Sequence, residues 1–139
     1  MSANPTTIQY AGDDFFIATT PSGHSLALDV KGGRRSAPGP LELFLVGLGS
    51  CTAADVISIL HKKREKVTDY RVEIRSERRE EHPRAFRRIE LKHIVRGLNV
   101  STEAVEHAIA LSTEKYCSAV ATVRATADVV TTFEIQPAE

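Results

Sequence analysis

Residues 40–60 read PLELFLVGLGSCTAADVISIL, and this stretch decides the fold. Pro40 is a favourable first helical residue, because its missing N–H would have no intrahelical partner there. The helix it opens is expected to run to about Lys63, roughly 36 Å at ~1.5 Å per residue. Leu41, Leu43, Phe44, Leu45, Val46, Leu48, Ala53, Ala54, Val56, Ile57, Ile59 and Leu60 leave it no clean polar face. A helix apolar all round must be covered all round. A chain of 139 residues has few elements to spare for that, which points to a second subunit as part of the cover. Glu42 and Asp55 interrupt the apolar run, so it reads as a buried helix rather than a membrane span. The tail HKKREK at 61–66 is solvated.

Upstream, Thr7 to Tyr10, Phe15 to Thr19 and Ser25 to Val30 read as three short strands in an antiparallel meander. Gly12, Asp13 and Asp14 join the first two. Pro21, Ser22 and Gly23 make the next turn, with Pro where its fixed φ suits the corner. KGGRRSAPG at 31–39 is a loop leading into the long helix. Downstream, Tyr70, Val72 and Ile74 alternate with Arg71, Glu73 and Arg75. Ile89, Leu91, His93 and Val95 alternate with Arg88, Glu90 and Lys92. Both are half-buried strands with a wet face, and His82 and Pro83 mark the hairpin between them. Ser101 is a helix N-cap with Glu103 in the first turn. Helical spacing then continues to about Val123, with a break near Ser112 and Thr113, before a last strand from Val129 to Ile135. The order of strands, long helix, strands, helix and strand gives an α+β fold with antiparallel sheet, in one domain over 1–139.

Composition narrows the function. Lys plus Arg and Asp plus Glu both number 18, so the chain has no basic excess for nucleic acid or an anionic membrane. Tryptophan is absent and Phe and Tyr number 5 and 3, too few for base-stacking platforms. The start has neither the basic nor the apolar region of a secretory leader, so the expected compartment is the cytoplasm. Two cysteines there are inert core thiols, metal ligands or redox groups rather than a structural staple. No C-x-x-C and no H-x-x-x-H pair occurs, so no metal site or bound cofactor is expected.

Cys51 admits two readings. One is a small apolar residue in a buried helix, since free Cys is among the most buried residue types. The other is a nucleophile. Gly47 and Gly49, each costing a helix ~1 kcal/mol against Ala, stand just before it and need an offset, either close packing or room for a substrate. A working nucleophile needs a lowered pKa. Cys51 lies about three turns inside the helix, where the dipole helps little, so a cation is expected to do this. Lys31, Arg34 and Arg35 lie on the preceding loop, and Glu42 in the first turn is placed to orient a guanidinium. For Arg34 and Arg35 the alternative is a solvated loop.

Two segments taken together carry a resemblance. These are residues 40–60, with a P-x-E-L helix start and G-S-C before D-V-I-S-I-L, and STEKYCS at 112–118. Between them lies SERREEHPR at 76–84. In this order they resemble the OsmC/Ohr family of peroxide-reducing proteins, in its YhfA-like branch, from about Gly12 to Ile135. The resemblance implies an intertwined homodimer, with antiparallel sheets wrapped around central long helices. It implies a peroxidatic Cys51, whose thiolate attacks an organic hydroperoxide to give a sulfenic acid, and a Cys117 that resolves it as a disulfide. A thiol reductant, lipoyl-protein-linked in some members, restores the dithiol. The family pairs its peroxidatic Cys with a Glu and an Arg. Its Glu directly follows the helix-start Pro, where this chain has Leu41, and Glu42 is turned by ~100° from that position. In one branch the Arg comes from the first hairpin, which is acidic here at Asp13 and Asp14. In another it comes from the loop before the helix, which holds Lys31, Arg34 and Arg35. The alternative function is a dimer of the same fold without peroxidase activity that binds a small apolar or electrophilic ligand.

Overall fold

The computed structural model describes residues 3–139. Three strands open the chain: β1 (Thr7–Gly12), β2 (Phe15–Thr19) and β3 (Ser25–Asp29). They pair in order as the expected antiparallel meander, with Tyr10 opposite Phe16 and Phe16 opposite Leu28. Gly12, Asp13 and Asp14 all have positive φ at the first turn. Glycine adopts that region freely and Asp tolerates it, which is why a tight reversal falls there. Gly23, also at positive φ, closes the second turn.

Helix α1 covers Pro40–Lys62. Its start is sealed by Glu42, whose Oε1 accepts the Gly39 N–H at 2.9 Å, the reach-back half of a capping box. By length and composition α1 would suffice to cross a membrane. Of its buried residues, Leu48, Thr52, Val56 and Leu60 follow a four-residue spacing down one side, with Gly49 next to Leu48. Leu41, Phe44 and Val46 are exposed, Val46 at 61%.

Residue contacts divide the chain into a unit ending at Val46 and a unit from Gly47 to Glu139. In the second, β4 (Lys66–Arg78) and β5 (Phe86–Leu98) form a long antiparallel hairpin, with Tyr70 opposite Val95 and Val72 opposite His93. Both strands outrun the alternating segments, because the ladder continues through polar residues that carry no alternation. Then follow α2 (Thr102–Leu111), one π-helical turn over Ser112–Tyr116, α3 (Ser118–Val123) and β6 (Asp128–Pro137). Ser101 caps α2 by accepting the Ala104 N–H at 3.2 Å. The sheet order is β4-β5-β6, and β6 joins β5 in parallel. This corrects the expectation of purely antiparallel sheet. Parallel neighbours need a crossover of a dozen or more residues, and the helical segment from Thr102 to Val123 supplies it. The core of this unit gathers Val56 and Leu60 of α1, Val95 of β5 and Ala104, Val105, Ala108 and Ile109 of α2.

Candidate functional site

The crossover bends where the sequence reads YCS at 116–118. In a regular α-helix the Cys117 N–H would pair with the Thr113 carbonyl. Here it donates to the Ser112 carbonyl at 2.8 Å, one residue further back, which is the π-helical bond. Thr113 offers its carbonyl to Arg124 instead. Cys117 then leaves helical geometry, with φ −75° and ψ 103°, and becomes the N-cap of α3. Its sulfur accepts the Val120 N–H at 3.4 Å.

This turn brings the two cysteines together. Both are free thiols, Cys117 buried and Cys51 partly exposed, and they lie close enough for each to shift the other's ionisation. The Ala119 backbone N–H and the Ser118 hydroxyl, at the start of α3, also favour the Cys51 thiolate. The Ala119 N–H first, and the Cys117 thiol after it, hold Cys51 below the ordinary thiol range. Burial and the negative charge of Asp55 oppose that pull, and the Ser118 hydroxyl adds to it. Burial pushes Cys117 the other way, upward, against the Val120 N–H. The pair is thus asymmetric, with Cys51 the better thiolate and Cys117 the proton-bearing partner.

The other residues singled out from the sequence have partners of their own. Arg34 donates from Nε to Asp29 Oδ2 and from Nη2 to Asp29 Oδ1, both at 2.9 Å. Its Nη1 reaches Asp13 Oδ2 at 2.8 Å, and the guanidinium lies 4.0 Å from the Phe15 ring centre. With the Lys31 and Ser36 N–H groups also on Asp29, this cluster shapes the loop before the helix. Arg34 above all keeps the Asp29 carboxyl well below the usual carboxylate range. Arg35 is exposed with a positive φ of 56°. Glu42 caps α1. The three groups that lower Cys51 are neutral donors, a backbone N–H, a thiol and a hydroxyl.

Sequence reasoning missed those donors because it carried the helix through Cys117. The signal was there: Ser118 and Ser112 are poor interior helix residues that favour caps and turns. It also missed a buried polar chain beside the thiols. Ser112 Oγ donates to Asp55 Oδ2 at 2.9 Å and lies 2.9 Å from Thr52 Oγ1. Beyond Asp55 a groove of about 410 Å³ is lined by Ser58, Ile59, Lys62, Lys63, Leu111 and Tyr116. Among the described residues no group of three or more His, Cys, Asp or Glu side chains is placed to hold a metal ion.

Residues 32–132, which include both cysteines, Arg34, Arg35 and Glu42, match the family described as OsmC-like protein. The chain belongs to this family. It is 41% identical over 120 residues to protein YhfA of Escherichia coli K12, spanning 86% of this chain and 89% of that one. A crystal structure of a hypothetical protein from Aquifex aeolicus is 34% identical, with a TM-score of 0.87 over 100% of both chains. The organic hydroperoxide resistance protein OhrB of Bacillus subtilis shares the fold, with a TM-score of 0.65, 15% identity and coverage of 96% of this chain and 100% of its own. In this OsmC-like chain Leu41 stands directly after the helix-start proline, and the matched region holds Cys51 and Cys117.

Proposed function

We propose that this OsmC-like chain is a thiol-dependent peroxidase of organic hydroperoxides. The observation that carries the reading is the contact between two free thiols pushed in opposite directions, Cys51 down and Cys117 up. The thiolate is the reactive form of cysteine. In the first step the Cys51 thiolate attacks the distal peroxide oxygen. The O–O bond breaks, the alkoxide takes a proton and leaves as the alcohol, and Cys51 becomes a sulfenic acid. In the second step the Cys117 sulfur attacks the Cys51 sulfur, a disulfide forms, and the hydroxyl leaves as water. A thiol reductant then returns the pair to the dithiol by exchange; a lipoyl-linked protein is a suitable class. Membership of a family that includes an organic hydroperoxide resistance protein supports the substrate class.

The reading includes one domain per chain and a homodimer, in the cytoplasm, where a reducing pool keeps thiols free. The exposed Leu41, Phe44 and Val46 on α1 support the dimer, because side chains of this size clustered in adjacent turns mark a covered surface.

The test is intact mass and free-thiol count before and after one equivalent of an organic hydroperoxide. Loss of both thiols, two hydrogens of mass and no cross-link between chains is expected. Two unreacted thiols would overturn the reading. The second reading, a ligand-binding dimer without peroxidase activity, is favoured by the groove beside Asp55. There Ile59, Leu111 and Tyr116 offer apolar contact, and Lys62 and Lys63 share the lining. Binding of an apolar probe there by a protein whose thiols ignore hydroperoxide would favour it.

A further inference from the structure

Ser112 occupies an unusual position. It is wholly buried, yet it makes three polar contacts. Its single hydroxyl proton goes to Asp55 Oδ2. The 2.9 Å contact with Thr52 therefore takes its proton from the Thr52 hydroxyl, and the chain runs Thr52 to Ser112 to Asp55. Thr52 and Asp55 are the residues one and four places after Cys51 on α1, so both move with the peroxidatic sulfur. The Ser112 carbonyl, meanwhile, receives the Cys117 N–H through the π-helical bond. One residue thus ties the frame of Cys51 to the backbone of Cys117. The tie has a local purpose. A π turn is rarely adopted, and here its extra residue turns Cys117 off the face that a regular helix would give it. Buried hydrogen bonds that an α-helical path would leave unmade favour the π path, because an unpaired buried polar group is costly.

We infer that Ser112 is a positioning residue for disulfide closure, holding the Cys117 thiol against Cys51 by way of Thr52 and Asp55. The inference rests on the peroxidase reading for its biological meaning but not for its test. Closure joins the Cys51 and Cys117 sulfurs whether the oxidised species is a sulfenic acid, which releases water, or an adduct of Cys51 with diamide, which releases the reduced hydrazine. Ser112 touches neither oxidant, so its loss acts on the second step only.

The experiment compares the wild-type chain with Ser112→Ala, Thr52→Val and Asp55→Asn. Each is treated with one equivalent of tert-butyl hydroperoxide and, separately, with diamide. A 1,3-dicarbonyl reagent traps the sulfenic acid, and intact mass follows both steps. Ser112→Ala is expected to keep the first oxidation within about twofold and to slow closure by about tenfold, the scale on which small misplacements of reacting atoms act. Trapped sulfenic acid rises accordingly. Asp55→Asn keeps an oxygen acceptor for the Ser112 hydroxyl, so its closure stays within about threefold of wild type. Unchanged closure in Ser112→Ala, or equal slowing of both steps, overturns the inference. If Ser112→Ala does not fold, Thr52→Val carries the test, because it removes the hydrogen bond from α1 to Ser112 and leaves the carboxylate in place. Unchanged closure there overturns the inference equally. If hydroperoxide spares the wild type while diamide closes it faster than Ser112→Ala, the peroxidase reading fails and the positioning role stands.

Discussion

The Ala119 backbone N–H is the strongest pull on Cys51 towards its thiolate, across the bend that makes Cys117 the cap of α3. A backbone donor favours the thiolate, and burial keeps the second thiol protonated beside it. The two cysteines should therefore differ in reactivity in the native state. Iodoacetamide at neutral pH, followed by peptide mass mapping, is expected to label Cys51 faster than Cys117, because the thiol held lower carries the larger thiolate fraction. Faster labelling of Cys117 would reverse the proposed roles. Asp55→Asn should move the onset of Cys51 labelling to lower pH, since the carboxylate charge holds that thiol up.

Removing each thiol separates the two chemical steps. Cys51→Ser is expected to lower hydroperoxide consumption to the rate without protein, because the nucleophile is gone. Cys117→Ser should still consume about one equivalent per chain and then stall, with sulfenic and higher acids at Cys51 by mass. Sustained turnover in Cys117→Ser would mean that another thiol resolves the intermediate.

A second buried pair makes stability depend on pH. The Tyr70 hydroxyl and His93 Nδ1 are 2.7 Å apart, and His93 is completely buried, with its Nε2 unpartnered. Burial lowers His93 from 6.5 to about 4 and raises Tyr70 further above its ordinary value, helped by Asp55. Between these His93 values the unfolded chain binds a proton that the folded chain does not. Stability therefore rises with pH across that window and falls as pH drops from about 6.5 towards 4. The full loss from this residue is about 3 kcal/mol. Urea unfolding at pH 7 and pH 4.5 measures it. His93→Gln should narrow the difference between the two pH values, and an unaltered difference would show that His93 does not titrate this way.

Much of this was legible from the sequence, and the exceptions share a cause. Pro40 and the apolar run after it set α1, and the alternation at Ile89, Leu91, His93 and Val95 set the buried face of β5. Those signals are local and repeat with a fixed period. The π turn is also local, but it changes the period for a single step, and one displaced residue leaves no periodic trace. So the helix was carried through Cys117, and the Ala119 and Ser118 donors went unseen. The parallel pairing of β6 depends on where a crossover lands, which no residue of β6 encodes. The two sulfurs were paired by family resemblance. The Thr52–Ser112–Asp55 chain was missed because Ser112 lies 60 residues from Thr52 and 57 from Asp55 and all three look like ordinary helix polar residues.

Glycine packing offers a final test of how α1 and the hairpin are held. Gly49 meets β4 so closely that an added Cβ would run into Ile74 Cδ1, the far end of a flexible side chain. Gly97, by contrast, faces the Lys66 carbonyl oxygen, and its added Cβ would also lie 2.6 Å from Val100 Cγ2. Ile74 can rotate away, whereas the Lys66 carbonyl belongs to the ladder and moves only with β4. Gly49→Ala therefore combines overpacking of about 1–3 kcal/mol with a helix gain of about 1 kcal/mol. Its net loss should stay below about 2 kcal/mol. Gly97→Ala has no such gain and no yielding neighbour, and should cost about 3 kcal/mol or more. Urea midpoints for the two variants decide the matter. A Gly49→Ala loss equal to that of Gly97→Ala would mean that Ile74 is as fixed as backbone, and that the close approach of α1 to β4 is a rigid part of the frame carrying Cys51.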